Sequence, residues 1–175
     1  AIELKPKLCQ AHINLGAVLK DLGKLQEAEG SIRNAIEINP YLFNSYFLLA
    51  RILIEQKKLK EAEGSLRKAI DFVPTFAEAY LNLGTVLKDI GKLKEAELST
   101  RRAIEINPNS RSYFHYSSCL FESQLFDSAQ KNLEIANSLQ NKIKDDSVED
   151  YLLTAYQKSI EFEKEYSANK SRKLK

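Results

Sequence analysis

The chain has 175 residues, 43% apolar and 29% charged, a balance that excludes wholesale disorder and allows one domain with a sizeable core. Its 26 Lys and Arg nearly cancel its 24 Asp and Glu, leaving a formal net charge of +2, so no global field draws it to nucleic acid or to anionic lipid. No apolar run approaches the roughly 18 residues of a membrane span, and Cys9 and Cys119 lack metal-ligand spacing, which suits free thiols in a reducing, cytoplasmic setting.

The chain opens on Ala1-Ile2-Glu3-Leu4-Lys5-Pro6, which echoes the Ala-Ile-Glu-Ile-Asn-Pro at 35–40 and 103–108. Residues 1–8 are therefore expected to be the end of a second helix from a truncated preceding repeat, with further repeats ahead of it. Without an initiator Met the chain reads as a fragment or a processed product.

All four prolines, Pro6, Pro40, Pro74 and Pro108, stand 34 residues apart, and on that period residues 12–40 match residues 80–108 at 21 of 29 positions. The chain is internally duplicated. In the first full unit, 9–42, Leu15, Val18, Leu19 and Leu22 recur at helical spacing, as do Leu25, Ala28, Ile32, Ala35 and Ile36, so two amphipathic helices are predicted. Gly23 between them is free to take the left-handed conformation that ends a helix. Pro40 closes the second helix, because it lacks an amide hydrogen and disfavours helix in the residue before it. The second unit, 43–76, has Lys57 at the turn, at a cost of about 1 kcal/mol for a side chain at positive φ. The third, 77–109, restores Gly91. Gly16, Ala50 and Gly84, paired with Ala28, Ala62 and Ala96, mark where the helices of each hairpin cross.

A fourth, degenerate unit at 110–143 fits after a shift of one residue, which places Tyr113, Leu120, Phe126, Ala129, Leu133 and Ala136 in register. It has Ser117 for the crossing Gly, Gln124 for the turn Gly and Asn141 for Pro. Ser147-Val148-Glu149-Asp150 then has the form of a capping box. Val148, Leu152, Ala155, Phe162 and Tyr166 share one face of a final helix, 146–168, expected to cover the end of the stack. Residues 169–175 read as a frayed basic tail.

This pattern resembles the tetratricopeptide repeat, on the strength of Tyr46 and Tyr80, Leu15-Gly16 and Leu83-Gly84, Leu19 and Leu87, the paired alanines and the prolines. His12, Ala50 and Thr100 depart from it without breaking a hairpin. The resemblance implies an all-α, right-handed α-solenoid of tandem hairpins whose first helices line a concave groove. It also implies a scaffold or adaptor that binds a peptide or protein segment there and does no chemistry.

With the large core residues turned inward, the first helices are expected to present Gln10, Ile13, Asn14 and Ala17, then Asn44, Phe47 and Arg51. Glu78, Leu81, Asn82 and Thr85 follow, then Arg111, Phe114 and His115. Asn14 and Asn82 resemble the asparagine ladder of the O-linked N-acetylglucosamine transferases, in which amide groups grip a peptide backbone; recent duplication alone also accounts for them. Phe47 and Phe114 are either anchors for a partner's apolar side chains or packing residues. Arg51, Asn82, Arg111 and His115 stand at or near the places where chaperone-tail adaptors clamp a terminal carboxylate. Phe47 and Arg51 depart from that clamp, however, and Glu78 and Glu122 lie close by, so at most a looser preference for anionic peptides is expected.

His12 and His115 lie in separate repeats without an orienting acid, and there is no phosphate-binding Gly loop or metal-ligand cluster. No catalytic residue, metal, cofactor or small-molecule substrate is therefore expected, and neither nucleic acid nor membrane is an expected partner. Two other roles stay open: the recruiting arm of a larger modifying enzyme such as a glycosyltransferase, and a self-assembly module.

Overall fold

The computed structural model describes residues 4–143 and 150–173. Among them are nine helices and no strand: α1 (Leu4–Asp21), α2 (Leu25–Ile38), α3 (Phe43–Glu55), α4 (Leu59–Phe72), α5 (Ala77–Asp89), α6 (Leu93–Ile106), α7 (Ser110–Glu122), α8 (Phe126–Ile143) and α9 (Asp150–Lys173). The first eight pair as four hairpins, and the hairpins stack in chain order.

All four hairpin turns have one backbone geometry. Gly23 (φ 73°), Lys57 (φ 62°), Gly91 (φ 82°) and Gln124 (φ 61°) each take the left-handed conformation. The following amide then donates back across the turn, from Lys24 to Leu19, Lys58 to Leu53, Lys92 to Leu87 and Leu125 to Leu120, at 2.8–2.9 Å. These bonds satisfy carbonyls that the end of a helix would leave without partners. The turn is thus retained even where the residue that suits it best is absent.

The hairpin crossings explain the small residues. A Cβ on Gly16 would lie 2.4 Å from Ile32 Cδ1, and one on Gly84 would lie 2.4 Å from Thr100 Cγ2; both would sit 3.3 Å from the carbonyl of the opposing alanine. In the fourth hairpin Ser117 uses that proximity, its Oγ donating to the Ala129 carbonyl at 2.7 Å. Around the first three crossings lies a core that includes Ile32, Ile52, Leu53, Leu66, Val86 and Leu87, all fully buried, and a second cluster around Leu120, Ala129, Leu133 and Ile160 joins the fourth hairpin to α9.

Two boundaries differ from the sequence expectation. Pro6 does not separate residues 1–8 from the first repeat, because α1 runs unbroken from Leu4 to Asp21. A proline in the first turn removes an amide that has no intrahelical acceptor there, so it is tolerated where an interior one would not be. At the other end α9 continues to Lys173, so residues 169–173 are helical rather than frayed. Of the expected capping box, Ser147, Val148 and Glu149 fall outside the described residues. The α9 helix covers α8 and the end of the stack: Ile160 is fully buried, and Tyr156 packs 5.6 Å from Phe114 and 5.2 Å from Phe121 between ring centroids.

The apolar row of α1 also departs from expectation. Leu19 is buried, but Leu15, Val18 and Leu22 are 49%, 56% and 66% exposed. Their counterparts Leu49, Ile52, Leu83 and Val86 are at most 4% exposed, because α3 and α5 each pack on a preceding hairpin. No described helix lies on that side of α1.

Candidate functional site

Approach between non-consecutive hairpin helices is concentrated among the first helices, with α1 meeting α3 and α5 meeting α7, so the first helices form the inner side of the stack. On this side a pocket of about 150 Å³ is lined by Phe47 and Arg51 from α3, Glu78, Leu81 and Asn82 from α5, and Arg111 from α7. All six are among the residues that the resemblance, together with helical spacing, led us to expect on the groove. The volume is well below the roughly 300 Å³ at which drug-sized ligand sites begin, but it admits a single side chain.

The wall is firm. Phe47 is half-buried against Phe76, with centroids 4.6 Å apart, and Leu81 is only 7% exposed, so both shape the pocket more than they project from it. The Asn82 amide donates to the Glu78 carbonyl of its own helix at 3.0 Å. Glu78 stands in the first turn of α5, where the helix dipole favours a negative charge.

The arginines divide sharply. Arg33, Arg67, Arg101 and Arg102 each hold a carboxylate at 2.6–2.8 Å. Arg51 and Arg111 are exposed and have no carboxylate partner among the described residues. Both line this one pocket.

The remaining predicted groove residues lie elsewhere or are engaged with the fold. Gln10, Ile13, Asn14 and Ala17 sit on α1, and Asn44 at the start of α3, outside the pocket; Gln10 Nε2 donates to Asn14 Oδ1 at 2.9 Å. Thr85 and His115 hydrogen-bond to each other at 3.2 Å across α5 and α7. The His115 ring is largely buried, and desolvation, helped by the positive charges of Arg111 and Lys88, lowers its pKa to about 4, so it is neutral at pH 7. Phe114 is packed under Tyr156 of α9. His115 therefore stands apart from the Arg51, Asn82 and Arg111 set.

Sequence reasoning missed a second depression, about 510 Å³, between α2, α3 and α4, floored by Ile36, Tyr46, Leu49 and Leu53 and flanked by Arg33 and Lys68. Its signal is Gly64, where an added Cβ would meet nothing within 4 Å; the corresponding residue in the third repeat is Leu98. Among the described residues no group of His, Cys, Asp and Glu could hold a metal ion, and no helix is long and apolar enough to cross a membrane.

Known structures share this architecture. The crystal structure of MamA superposes with a TM-score of 0.75 at 22% identity over 82% of this chain and 84% of that one. YrrB, described as a TPR protein with an unusual peptide-binding site, matches with a TM-score of 0.66 at 23% identity over 74% and 68%. A Thermobaculum terrenum O-GlcNAc transferase mutant matches with a TM-score of 0.70 at 22% identity over 77% of this chain but only 26% of that protein. No curated protein matches the chain in sequence. Tetratricopeptide repeat models match residues 10–41, 43–75 and 77–110, together more than half of the sequence. With three matched repeats and a stack of four helical hairpins, the chain belongs to the tetratricopeptide repeat family, whose members are protein-interaction modules.

Proposed function

We propose that this chain is a non-catalytic scaffold that binds an extended segment of another polypeptide along the face formed by α1, α3, α5 and α7. The observation that carries the reading is the pocket shared by α3, α5 and α7, with its aromatic wall and with two guanidinium groups that have no carboxylate partner among the described residues. A side-chain-sized pocket on a long inner face suits a peptide, which can place one residue in it and lay its backbone along the neighbouring helices. The peptide-binding site ascribed to YrrB supports the same reading by likeness of fold. A cytoplasmic location belongs to the proposal and rests on the two free, buried cysteines.

The test is selection from a displayed library of random twelve-residue peptides, using the chain and its Arg51→Ala/Asn82→Ala/Arg111→Ala variant. Peptides enriched by the first and lost from the second support the reading. Peptides retained equally by both place binding elsewhere and overturn it.

Two further roles have an observation each. The shared fold with part of an O-GlcNAc transferase favours the recruiting arm of a larger enzyme, which would use the same groove. The exposed Leu8, Leu15, Val18 and Leu22 favour self-association through α1; a monomer mass independent of concentration in sedimentation would remove that role.

A further inference from the structure

We propose that the outer face of the stack, formed by the second helices, carries a self-complementary contact in which Leu98 of each of two copies fills the apolar slot beside Gly64 of the other. The contact does not involve the first helices, so it is independent of the groove reading and leaves the inner face open. Both of its halves come from one repeat position. Gly64 in α4 and Leu98 in α6 are 34 residues apart and hold equivalent places in successive hairpins, so they face the same side. Gly30 holds that place in the first repeat and Lys131, in the shifted register, holds it in the fourth, which leaves Leu98 as the one large apolar side chain of the set.

The slot exists because of the glycine. It encloses about 510 Å³ between α2 and α4, above the floor of Ile36, Tyr46, Leu49 and Leu53. Packing does not demand a glycine there, since an added Cβ would meet nothing within 4 Å, and a glycine inside a helix is a destabilising choice. One repeat on, Leu98 is 63% exposed. An apolar hollow and an apolar projection of matching kind therefore lie side by side on one face.

Symmetry joins them. A two-fold axis normal to this face, midway between the two positions, exchanges them, so that each copy offers one projection and one slot. As second helices of hairpins stacked in chain order, α2, α4 and α6 run in the same direction. The axis therefore lays α6 of the second copy antiparallel to α2 and α4. Lys94, one turn before Leu98, then comes over the C-terminal end of the slot, where Glu37 stands on the α2 wall and Lys68 across from it on α4. Glu37 and Lys94 are both exposed, and neither has an ion pair among the described residues. Between slot and projection Arg67 holds Glu95 at 2.7 Å, so those two charges are already balanced. Tyr46 also leads from the slot to Phe72 and the exposed Tyr41, with centroids 5.7 and 6.3 Å apart, which extends the apolar surface.

The experiment is sedimentation over a concentration series of the native chain, Gly64→Leu and Leu98→Ala. The native chain is expected to form dimers, and each substitution to weaken them by at least about tenfold, one by filling the slot and the other by removing what enters it. An equal mixture of the two variants keeps one projection and one open slot, and is expected to associate more tightly than either alone. Melting separates assembly from folding: Gly64→Leu is expected to be at least as stable as the native monomer, because the side chain has room and suits a helix better than glycine. A native chain that stays monomeric overturns the inference. So does a dimer that survives either substitution, since both halves are needed; its loss in Leu15→Ser/Val18→Ser would then assign it to α1. The peptide selection on the inner face involves neither Gly64 nor Leu98, so the groove reading stands or falls separately.

Discussion

Single residues decide whether each hairpin can close, and the turns show how much local strain the stack tolerates. Lys57 and Gln124 hold the left-handed conformation that Gly23 and Gly91 adopt without a steric cost. Lys57→Gly and Gln124→Gly are each expected to stabilise the fold by about 1 kcal/mol, read as a higher midpoint in urea. His115 gives a pH dependence of definite sign. Its pKa is about 4 in the fold against an ordinary 6.5, so between those values the unfolded chain binds more protons than the folded one. Stability should therefore fall on acidification from pH 6.5 towards 4, by at most about 3 kcal/mol, and His115→Gln should remove most of that slope in denaturant titrations. A slope unchanged in the variant would mean that His115 titrates normally in the fold.

At the scale of the helix, the same amphipathic pattern meets different surroundings at different places in the stack. Ile52 is fully buried between hairpins, whereas Val18, its counterpart one repeat earlier, is 56% exposed. Ile52→Asp should cost several kcal/mol or prevent folding, because it strands a charge in the core. Val18→Asp should change stability by no more than about 0.5 kcal/mol by thermal melting. The second helices are tied by a periodic set of ion pairs: Arg33 to Glu61 and Lys58 to Glu29 join α2 with α4 and its preceding turn, and Arg67 to Glu95 and Lys92 to Glu63 repeat the arrangement one unit on. Glu29 is held below the usual carboxylate range chiefly by Lys58. At the open end the corresponding residues, Lys24 and Glu27, turn to each other at 3.6 Å. Exposed pairs of this kind contribute little each, so they set the register of the helices more than they set stability.

For the whole molecule, stability depends on neighbours, since a lone hairpin cannot bury both of its faces. The α9 helix supplies the last neighbour: Tyr156 donates to the Ser118 carbonyl at 3.3 Å, its pKa pushed up to about 12 by burial, and Lys164 reaches Asp127 at 2.6 Å. Ending the chain at residue 143 would uncover Phe114 and Phe121. The shortened chain is expected to lose amide exchange protection in α7 and α8 first while α3 to α6 stay protected, a result that hydrogen exchange would show directly. Uniform loss across all hairpins would mean that the stack unfolds as one unit.

The prolines, the recurring small residues and the helical spacing were sufficient to find the repeats, because each records a local requirement: a helix stop, a close crossing, a buried stripe. The expected groove residues rested on two things, helical spacing, which gives each helix a buried side and an opposite one, and the family resemblance, which says that the first helices line the groove. Three features needed the assembled stack. Whether Pro6 ends a helix or sits in the first turn of one depends on where that helix starts, and the motif reads the same in both cases. Whether Leu15 and Val18 are core or surface depends on a neighbouring hairpin that spacing cannot reveal. And that Arg51 and Arg111, sixty positions apart, share a pocket while His115 is bound to Thr85, thirty positions away, is a relation among α3, α5 and α7 that only packing brings about.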